Sequence, residues 1–349
     1  MNTMPDTVDP HSDPAAIPLF VDMDGTLLRT DVAQELLLRS FKSPAALCAV
    51  LSGGVSHGVS GVKRALSEKT GFRADLLPYD ADVLDYVKKA RRDGRRVVLA
   101  TAADSKVARA VADHTGVFDD VVATEPGRNM KGAAKLAAIR DAAGPEGFEY
   151  LGDSRADLPI WRAARLRGFA AIPARARDMA GEATLLPRRR APFWSALLRA
   201  MRPGHWALNL FVFLPILFAN LYADPAGLLR TFGAFVAFSL CASAICLIGA
   251  MLDVEADRAD AVRRKGPFAA GDLTPKAGGA AALLLMLAGL GTGFGVAGWV
   301  LGLVLSAYLT AALAHALWLK SSPVIGALVL VLLFALRIVA GAVAVQLLP

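Results

Sequence analysis

The sequence predicts a parallel α/β domain with a helical cap, followed by an all-α transmembrane bundle of about five helices. Short apolar runs at 17–21, 97–101 and 149–153 alternate with stretches of helical period, which is typical of a parallel sheet. The interval at about 31–95 interrupts this alternation with helical segments and predicts the cap. Beyond residue 205 the chain is mostly apolar, in stretches near the roughly 20 residues that cross a bilayer.

Composition separates the two parts of the chain. It has 349 residues, a formal net charge of +7 and 55% hydrophobic residues, yet only 9 of its 38 Lys and Arg residues follow position 200. No compact basic and aromatic surface stands out, so the positive charge does not indicate nucleic-acid binding. The three cysteines, Cys48, Cys241 and Cys246, suggest neither a metal-binding pair nor a disulfide framework.

The predicted organisation has four parts. Residues 1–16 form a disordered tail without a signal-peptide pattern, and residues 17–187 form the α/β domain. A basic linker at 188–205 leads to the transmembrane domain at 206–349. The linker begins with arginines at 188–190, where cytoplasmic flanks of membrane helices collect basic residues.

Five apolar stretches predict the membrane helices, at 206–222, 228–252, 277–296, 299–319 and 323–347. The boundary between the third and fourth is weak, because only residues 293–302 interrupt the pattern. Five basic residues lie in the loop at 253–276, and Lys320 lies in the next loop on the same side. This bias predicts a multi-pass protein of the inner (cytoplasmic) membrane, with the α/β domain in the cytoplasm and the C-terminus outside.

Two carboxylates follow the first predicted strand, Asp22 and Asp24. Side chains two apart on an extended segment point to the same side. One carboxylate can therefore attack phosphorus while its neighbour protonates the leaving oxygen and later activates water. Gly25 allows a tight turn beside a bound anion.

Polar residues at the other strand ends extend this site. Asp153 and Asp157 are one helical turn apart and supply oxygen ligands for Mg²⁺, which offsets the repulsion between a carboxylate nucleophile and a phosphate dianion. Thr101 offers a hydroxyl and Lys131 a cation to the phosphoryl oxygens. The alternative for Asp157 is a cap on the following helix.

These motifs resemble those of the haloacid dehalogenase superfamily over about residues 17–187. The matching motifs lie in order at 22–27, 99–101, 129–132 and 152–157. The resemblance implies a Rossmann-like fold in which Asp22 forms an aspartyl-phosphate and Asp24 is the general acid/base. It also implies that Thr101 and Lys131 stabilise the transferring phosphoryl group. Mg²⁺ would be held by Asp22, the Asp24 backbone carbonyl and Asp153, with Asp157 in support.

A second acidic motif, Asp253, Asp257 and Arg258, lies at the end of the second predicted membrane helix. Carboxylates four apart beside a basic loop suit a metal-bound diphosphate, and a solvated loop is the alternative. From about residue 194 onward the sequence is similar to the UbiA family of membrane prenyltransferases, especially its decaprenyl-phosphate phosphoribosyltransferase-like members.

The chain departs from the UbiA pattern. Gly249 and Ala250 stand where the motif has Asn and its first Asp, which leaves Asp253, Asp257 and Arg258 as a residual diphosphate and Mg²⁺ site. The family also has more membrane helices and a second Asp-rich motif, so the resemblance implies a truncated, degenerate domain. Arg337 lies inside the last predicted helix, where charges are costly; it is expected to pair with another helix or to be a remnant of phosphate binding.

The sequence favours a membrane-anchored, Mg²⁺-dependent phosphatase or phosphotransferase acting on a phosphorylated small molecule or lipid, for instance a polyprenyl-linked one. One alternative is a UbiA-type transferase that moves a polyprenyl or phosphoribosyl group, with the α/β domain as an accessory phosphatase. Another is a non-catalytic membrane partner of a separate, complete transferase. The expected partners are the substrate, membrane lipids and a partner transferase subunit, without nucleic acid.

Overall fold

The computed structural model describes residues 17–125, 127–179, 183–186 and 190–347. The chain divides into two compact units, the first comprising Met1–Ala33 and Ala45–Arg189, the second Gln34–Pro44 and Arg190–Pro349. The disordered tail predicted at 1–16 and the two linker arginines at 188–189 lie outside the described residues. Gln34–Pro44 falls within the interval assigned to the cap, yet it clusters with the second unit.

The first unit is built on a six-stranded sheet in the order β3-β2-β1-β4-β5-β6, and every neighbouring pair is parallel. Phe20 of the central strand is fully buried and is in register with Val98 and Tyr150. The order reverses beside β1, so the carboxyl ends of the central strands border one crevice. This arrangement confirms the predicted parallel α/β fold. The strands are β1 Leu19–Val21, β2 Val97–Asp104, β3 Asp120–Thr124, β4 Glu149–Gly152, β5 Leu166–Phe169 and β6 Thr184–Leu185.

Helices connect these strands, and three lie between β1 and β2, in the interval assigned to the cap. The Asp80 and Asp104 side chains cap two helices by accepting hydrogen bonds from the Val83 and Lys106 backbone N–H groups. The helices are α1 Val32–Ser40, α2 Pro44–Lys69, α3 Ala81–Arg92, α4 Ser105–Thr115, α5 Ala133–Ala143 and α6 Leu158–Ala163.

Helix α2 is a helical hairpin. Gly58 has a φ of 59° and a ψ of −143°, outside the helical region, and reverses the chain. The two limbs pack so closely that a Cβ added to Gly53 would lie 2.8 Å from the Gly61 carbonyl oxygen. The second limb carries Lys63, which reaches the candidate site.

The second unit is helical, and three of its described helices, α9, α11 and α12, are long and apolar enough to cross a membrane. The first predicted span at 206–222 is instead a 3-10 segment, Pro203–Phe213, that continues into a short helix. Pro215, near the start of that helix, has no backbone N–H to donate, which disfavours one continuous α-helix here. The helices are α7 Phe193–Met201, α8 Leu214–Phe218, α9 Pro225–Leu252, α10 Val254–Ala259, α11 Pro275–Leu317 and α12 Pro323–Ala344.

Helix α11 contains 43 residues, which as a straight helix would be about 65 Å long, twice a bilayer core. It is broken at Ala297 and at Gly298, which has a φ of 72°. The Leu305 side chain packs directly against Gly293. Residues 12 apart on a straight helix would be about 18 Å apart, so α11 doubles back as two antiparallel limbs. The break lies at the predicted boundary between the third and fourth membrane helices.

Arg337 is buried and fully engaged inside the helical core of the second unit. Its guanidinium donates to Asn209 Oδ1 at 2.9 Å, to the Leu333 carbonyl at 2.6 Å and to the Tyr308 hydroxyl at 3.2 Å. Asn209 in turn donates to Ser239 Oγ at 3.1 Å. Of the two roles expected for Arg337, the structure therefore shows pairing between helices.

Candidate functional site

Asp22 follows β1 directly and is 8% exposed. The Lys135 ammonium, from α5, donates to Asp22 Oδ1 at 2.7 Å and to the Tyr150 hydroxyl at 2.6 Å. Burial raises the pKa of Asp22 to about 7; the positive charge of Lys135 opposes this increase, and Asp157 adds to it. One lysine therefore leaves the carboxyl only partly ionised near neutral pH, and additional positive charge would be needed to ionise it fully.

Asp24 and Thr101 border the same cavity as Asp22, which has a volume of about 310 Å³. The Asp24 carboxylate accepts a hydrogen bond from the Val32 backbone N–H at 2.9 Å. The Thr101 hydroxyl oxygen accepts one from the Ala103 backbone N–H at 3.0 Å. The cavity thus brings together the two carboxylates and the hydroxyl that the sequence motifs predicted.

Gly25 follows Asp24 directly and lies against the Asp153 side chain, at a position that only glycine fits. Its φ is 83°, and an added Cβ would lie 2.8 Å from Asp153 Oδ1. Any other residue would clash with the Asp153 carboxylate.

Three carboxylates, those of Asp22, Asp153 and Asp157, place one oxygen each within 4.8 Å of one another. Asp157 is 3% exposed; it accepts from the Tyr150 hydroxyl at 2.7 Å and from Ser154 Oγ at 2.9 Å, which fixes its orientation. The Lys135 ammonium contacts two of these carboxylates, Asp22 at 2.7 Å and Asp157 at 3.7 Å. Three grouped carboxylate oxygens fit a hard divalent cation such as Mg²⁺.

Three lysines border the cavity, Lys63, Lys131 and Lys135. Lys131, the predicted lysine, is exposed on the cavity wall, whereas Lys135 contacts Asp22 directly. Sequence analysis missed Lys135, for which a second lysine four residues after Lys131 was the available signal. It also missed Lys63, whose ammonium donates to Asn129 Oδ1 at 2.9 Å; nothing in the local sequence of the inserted α2 hairpin marks it.

The side chains of the predicted acidic motif in the second unit have different partners. Asp253 accepts hydrogen bonds from two lysines, Arg258 pairs with Glu35, and Asp257 borders a separate cavity. Burial raises the pKa of Asp253, but hydrogen bonds from Lys320 and Lys42 outweigh it and leave the pKa below its usual value. Within the described residues, Asp253 and Asp257 belong to no group of three potential metal ligands.

Comparison with known families matches two separate regions of the chain, one in each unit. Residues 19–162 match the model of the haloacid dehalogenase-like hydrolases, and residues 209–347 match that of the UbiA prenyltransferase family. Both resemblances inferred from the motifs are therefore confirmed.

Individual relatives cover one or both regions. An uncharacterized protein of Sinorhizobium fredii, y4nM, is 34% identical over 335 residues, which are 94% of this chain and 64% of that protein. A decaprenyl-phosphate phosphoribosyltransferase of Mycolicibacterium smegmatis is 36% identical over 159 residues, 43% of this chain and 48% of that protein. A substrate-bound phosphoserine phosphatase structure has 14% identity and a TM-score of 0.36, covering 50% of this chain and 94% of that one.

The chain spans less than two thirds of the length of either sequence relative. Its apolar helices accord with a membrane-embedded second unit, and its parallel sheet with a hydrolase-like first unit. The chain thus joins a region that is similar to the haloacid dehalogenase-like hydrolases to a region that is similar to the UbiA prenyltransferases.

Proposed function

We propose that the first unit is a Mg²⁺-dependent phosphohydrolase or phosphotransferase that works through an aspartyl-phosphate on Asp22. The observation that carries this proposal is the buried Asp22 carboxylate, held at 2.7 Å by Lys135 beside two further carboxylates and bordering a cavity with Asp24. A buried nucleophile with a cation and a neighbouring acid is the arrangement that phosphoryl transfer requires. The match to haloacid dehalogenase-like hydrolases supports it.

The proposed reaction has two steps. In the first, an Asp22 carboxylate oxygen bonds to phosphorus, the bond from phosphorus to the leaving oxygen breaks, and Asp24 gives that oxygen its proton. In the second, Asp24 takes a proton from a water molecule whose oxygen bonds to phosphorus, and the Asp22–phosphorus bond breaks. An alcohol in place of that water would make the reaction a phosphotransfer.

The remaining residues of the site would offset the negative charge of the phosphate, either by holding Mg²⁺ or by contacting the phosphoryl oxygens. Asp22, Asp153 and the Asp24 backbone carbonyl would hold Mg²⁺, with Asp157 in support, and the ion would offset the negative charge of the phosphate. Lys131, Lys135 and the Thr101 hydroxyl would contact the phosphoryl oxygens as negative charge develops on them.

The proposed substrate is a phosphorylated small molecule or lipid, for instance a polyprenyl-linked phosphate. The apolar helices of the second unit support a substrate available at a membrane surface. The basic loops after α9 and before α12 support an inner (cytoplasmic) membrane protein with the first unit in the cytoplasm and the C-terminus outside. A compartment-specific reporter fused after Pro349 tests that orientation.

The activity is tested on the full-length protein in detergent with a generic aryl phosphate. Hydrolysis should require added Mg²⁺, stop with EDTA and recover when Mg²⁺ is returned in excess. Full activity in EDTA would contradict the proposal.

A second candidate function is transfer of a polyprenyl or phosphoribosyl group by the second unit, with the first unit as an accessory phosphatase. The match of residues 209–347 to the UbiA family favours it. The ion pairs of Asp253 with Lys42 and Lys320, and of Arg258 with Glu35, weigh against it. No transfer from phosphoribosyl diphosphate to a polyprenyl phosphate is therefore expected from the protein alone. Transfer that appears only when a separate transferase subunit is added would instead support the hypothesis that this chain is a non-catalytic partner of that subunit.

A further inference from the structure

Helix α2 carries an apolar surface that the rest of the first unit leaves uncovered. Among the described residues of that unit, most of the large apolar side chains that remain exposed lie on α2. They are Leu51, Val55 and Val59, which are 62%, 91% and 61% exposed. Cys48 is also exposed, and Cys48, Leu51 and Val55 have the spacing of one helix face. We call Leu51, Val55 and Val59 the hairpin patch.

The exposed side of the first limb of α2 lacks the charges of a helix in water. Residues 43–62 contain no Asp, Glu, Lys or Arg. The hydroxyls of Ser52 and Ser56 donate to backbone carbonyls of the same helix, at 3.0 and 2.9 Å. Helix α3 of the same unit differs, because its exposed side carries Asp85 and Lys88. The first limb of α2 is therefore suited to contact with lipid.

The chain enters α2 from the membrane end of the second unit. The segment Gln34–Pro44 clusters with the second unit, and α2 begins at the last residue of that segment. Lys42 pairs at 2.8 Å with Asp253, which directly follows α9. The Phe41 carbonyl accepts a hydrogen bond at 3.2 Å from the indole of Trp318, which directly follows α11. Both helices are long and apolar enough to cross a membrane, so these ends mark its surface.

A bilayer fits the hairpin patch better than a second protein does. The apolar helix Pro44–Ser56 is too short to cross a membrane and has the length of an interfacial segment. A stable protein interface takes about 20–30 residues on each side, whereas the patch has three large side chains. Few side chains suffice at a membrane, because the spanning helices already hold the start of α2 there. Leu51 is only about 10 Å along the helix from Pro44.

We propose that the hairpin patch inserts into the headgroup region of the membrane that the second unit spans, and so anchors the first unit to its surface. Lys63, four residues after Val59 on the second limb, borders the Asp22 cavity. The hairpin that contacts lipid would therefore also border the candidate active site, as suits a phosphorylated lipid substrate. That link to the substrate rests on the proposed function, whereas the membrane contact does not depend on phosphatase activity.

The test uses full-length protein reconstituted into vesicles of phosphatidylethanolamine and phosphatidylglycerol. Cys48→Ala and Cys246→Ala leave only the buried Cys241, and this background should take up no spin label. A nitroxide is then attached to Val55→Cys or, as a control, to Asp141→Cys on the exposed side of α5. Electron paramagnetic resonance measures how strongly two reagents relax each label: oxygen, which concentrates in lipid, and a water-soluble nickel chelate.

The hairpin patch is changed around the label. The double variant Leu51→Gln/Val59→Gln removes the apolar side chains on both sides of it and leaves the residues of the Asp22 cavity unchanged. Leu185→Gln is the matched control, because Leu185 is another exposed apolar residue of the first unit, at 53%. Thermal unfolding checks the fold, and Val59→Gln alone serves if the double variant is unstable.

The proposal expects oxygen to relax the Val55→Cys label more than the chelate does, and the reverse for the Asp141→Cys label. The double variant should shift the Val55→Cys label to the pattern of the Asp141→Cys label, and Leu185→Gln should leave it unchanged. Strong relaxation of the Val55→Cys label by the chelate without these substitutions would overturn the proposal, because the patch would lie in water. Weak relaxation by both reagents would also overturn it, since protein, for instance a second copy, would cover the patch. So would a lipid pattern that persists in the double variant.

Discussion

The two acidic motifs of this chain have a similar spacing of aspartates in sequence, but different charged side chains surround them in the structure. In the first unit, the carboxylates of Asp22, Asp153 and Asp157 group together, and Lys135 contacts Asp22 and Asp157. In the second unit, Asp253 alone has two lysines. Spacing of acidic residues therefore does not define a metal site; the cations that distant segments bring to them decide whether a metal ion is needed.

The largest expected effect comes from the nucleophile. Asp22→Asn should reduce Mg²⁺-dependent aryl phosphate hydrolysis to background, because a neutral amide cannot attack phosphorus. The fold should survive, since the amide fills the same space and removes a carboxylate whose burial already disfavours its charge. Steady-state hydrolysis and thermal unfolding measure the two outcomes.

A matched control is Asp141→Asn, which neutralises an exposed carboxylate on α5. Its activity should equal that of the unmodified protein. An Asp22→Asn protein that keeps most of the rate would show that another group attacks phosphorus.

The next effect is expected at Asp24. Asp24→Asn should lower kcat by roughly 10²- to 10⁴-fold, the usual contribution of general acid/base catalysis. The loss should shrink for an aryl phosphate with a more acidic leaving phenol, because that leaving group needs less protonation. A loss of equal size for all leaving groups would indicate that Asp24 only holds the Val32 N–H and the following turn.

The two lysines at the cavity should differ. Lys135→Met should lower kcat more than Lys131→Met, by about tenfold or more, because Lys135 contacts Asp22 and is nearly buried, whereas Lys131 is exposed. Lys131→Met should act mainly on KM. Parallel measurements of kcat and KM check the order, and the reverse order would assign the transferring phosphoryl group to Lys131.

Much of the first unit could be predicted from sequence. Strand patterns and strand-end motifs are local, so they indicated the parallel sheet, the Asp22 cavity and its acidic residues. Lys63 and Lys135 were missed, because their function depends on how α2 and α5 fold back over β1. In the second unit, apolar length located α9, both limbs of α11 and α12, but Pro215 made the first span irregular.

The pairing of Asp253 could not be predicted for the same reason. Lys42 is 211 residues away in sequence and Lys320 is 67 away, and no local pattern reports such contacts. Glu35, Arg39 and Lys42 lie in an interval that reads as part of the cap, yet each meets a charge of the second unit's motif.

The smallest expected effect concerns the ion pair between Glu35 and Arg258 in the second unit. Glu35→Gln should destabilise the protein by about 3 kcal/mol, since it leaves the nearly buried Arg258 without its counter-charge. Arg73→Gln, which breaks the exposed pair with Asp75, should cost less than about 1 kcal/mol. Thermal unfolding in one detergent measures both, and equal small shifts would show that Arg258 does not depend on Glu35.

The most direct measurement of the difference between the motifs is the number of metal ions that each holds. Mn²⁺ in place of Mg²⁺ can be titrated into the full-length protein and counted by electron paramagnetic resonance. The structure predicts binding that is lost in Asp153→Asn and unchanged in Asp253→Asn, because, among the described residues of the two motifs, three carboxylates group together in the first alone, whereas Asp253 is paired with Lys320. A second bound ion that persists in Asp153→Asn and disappears in Asp253→Asn would contradict this account.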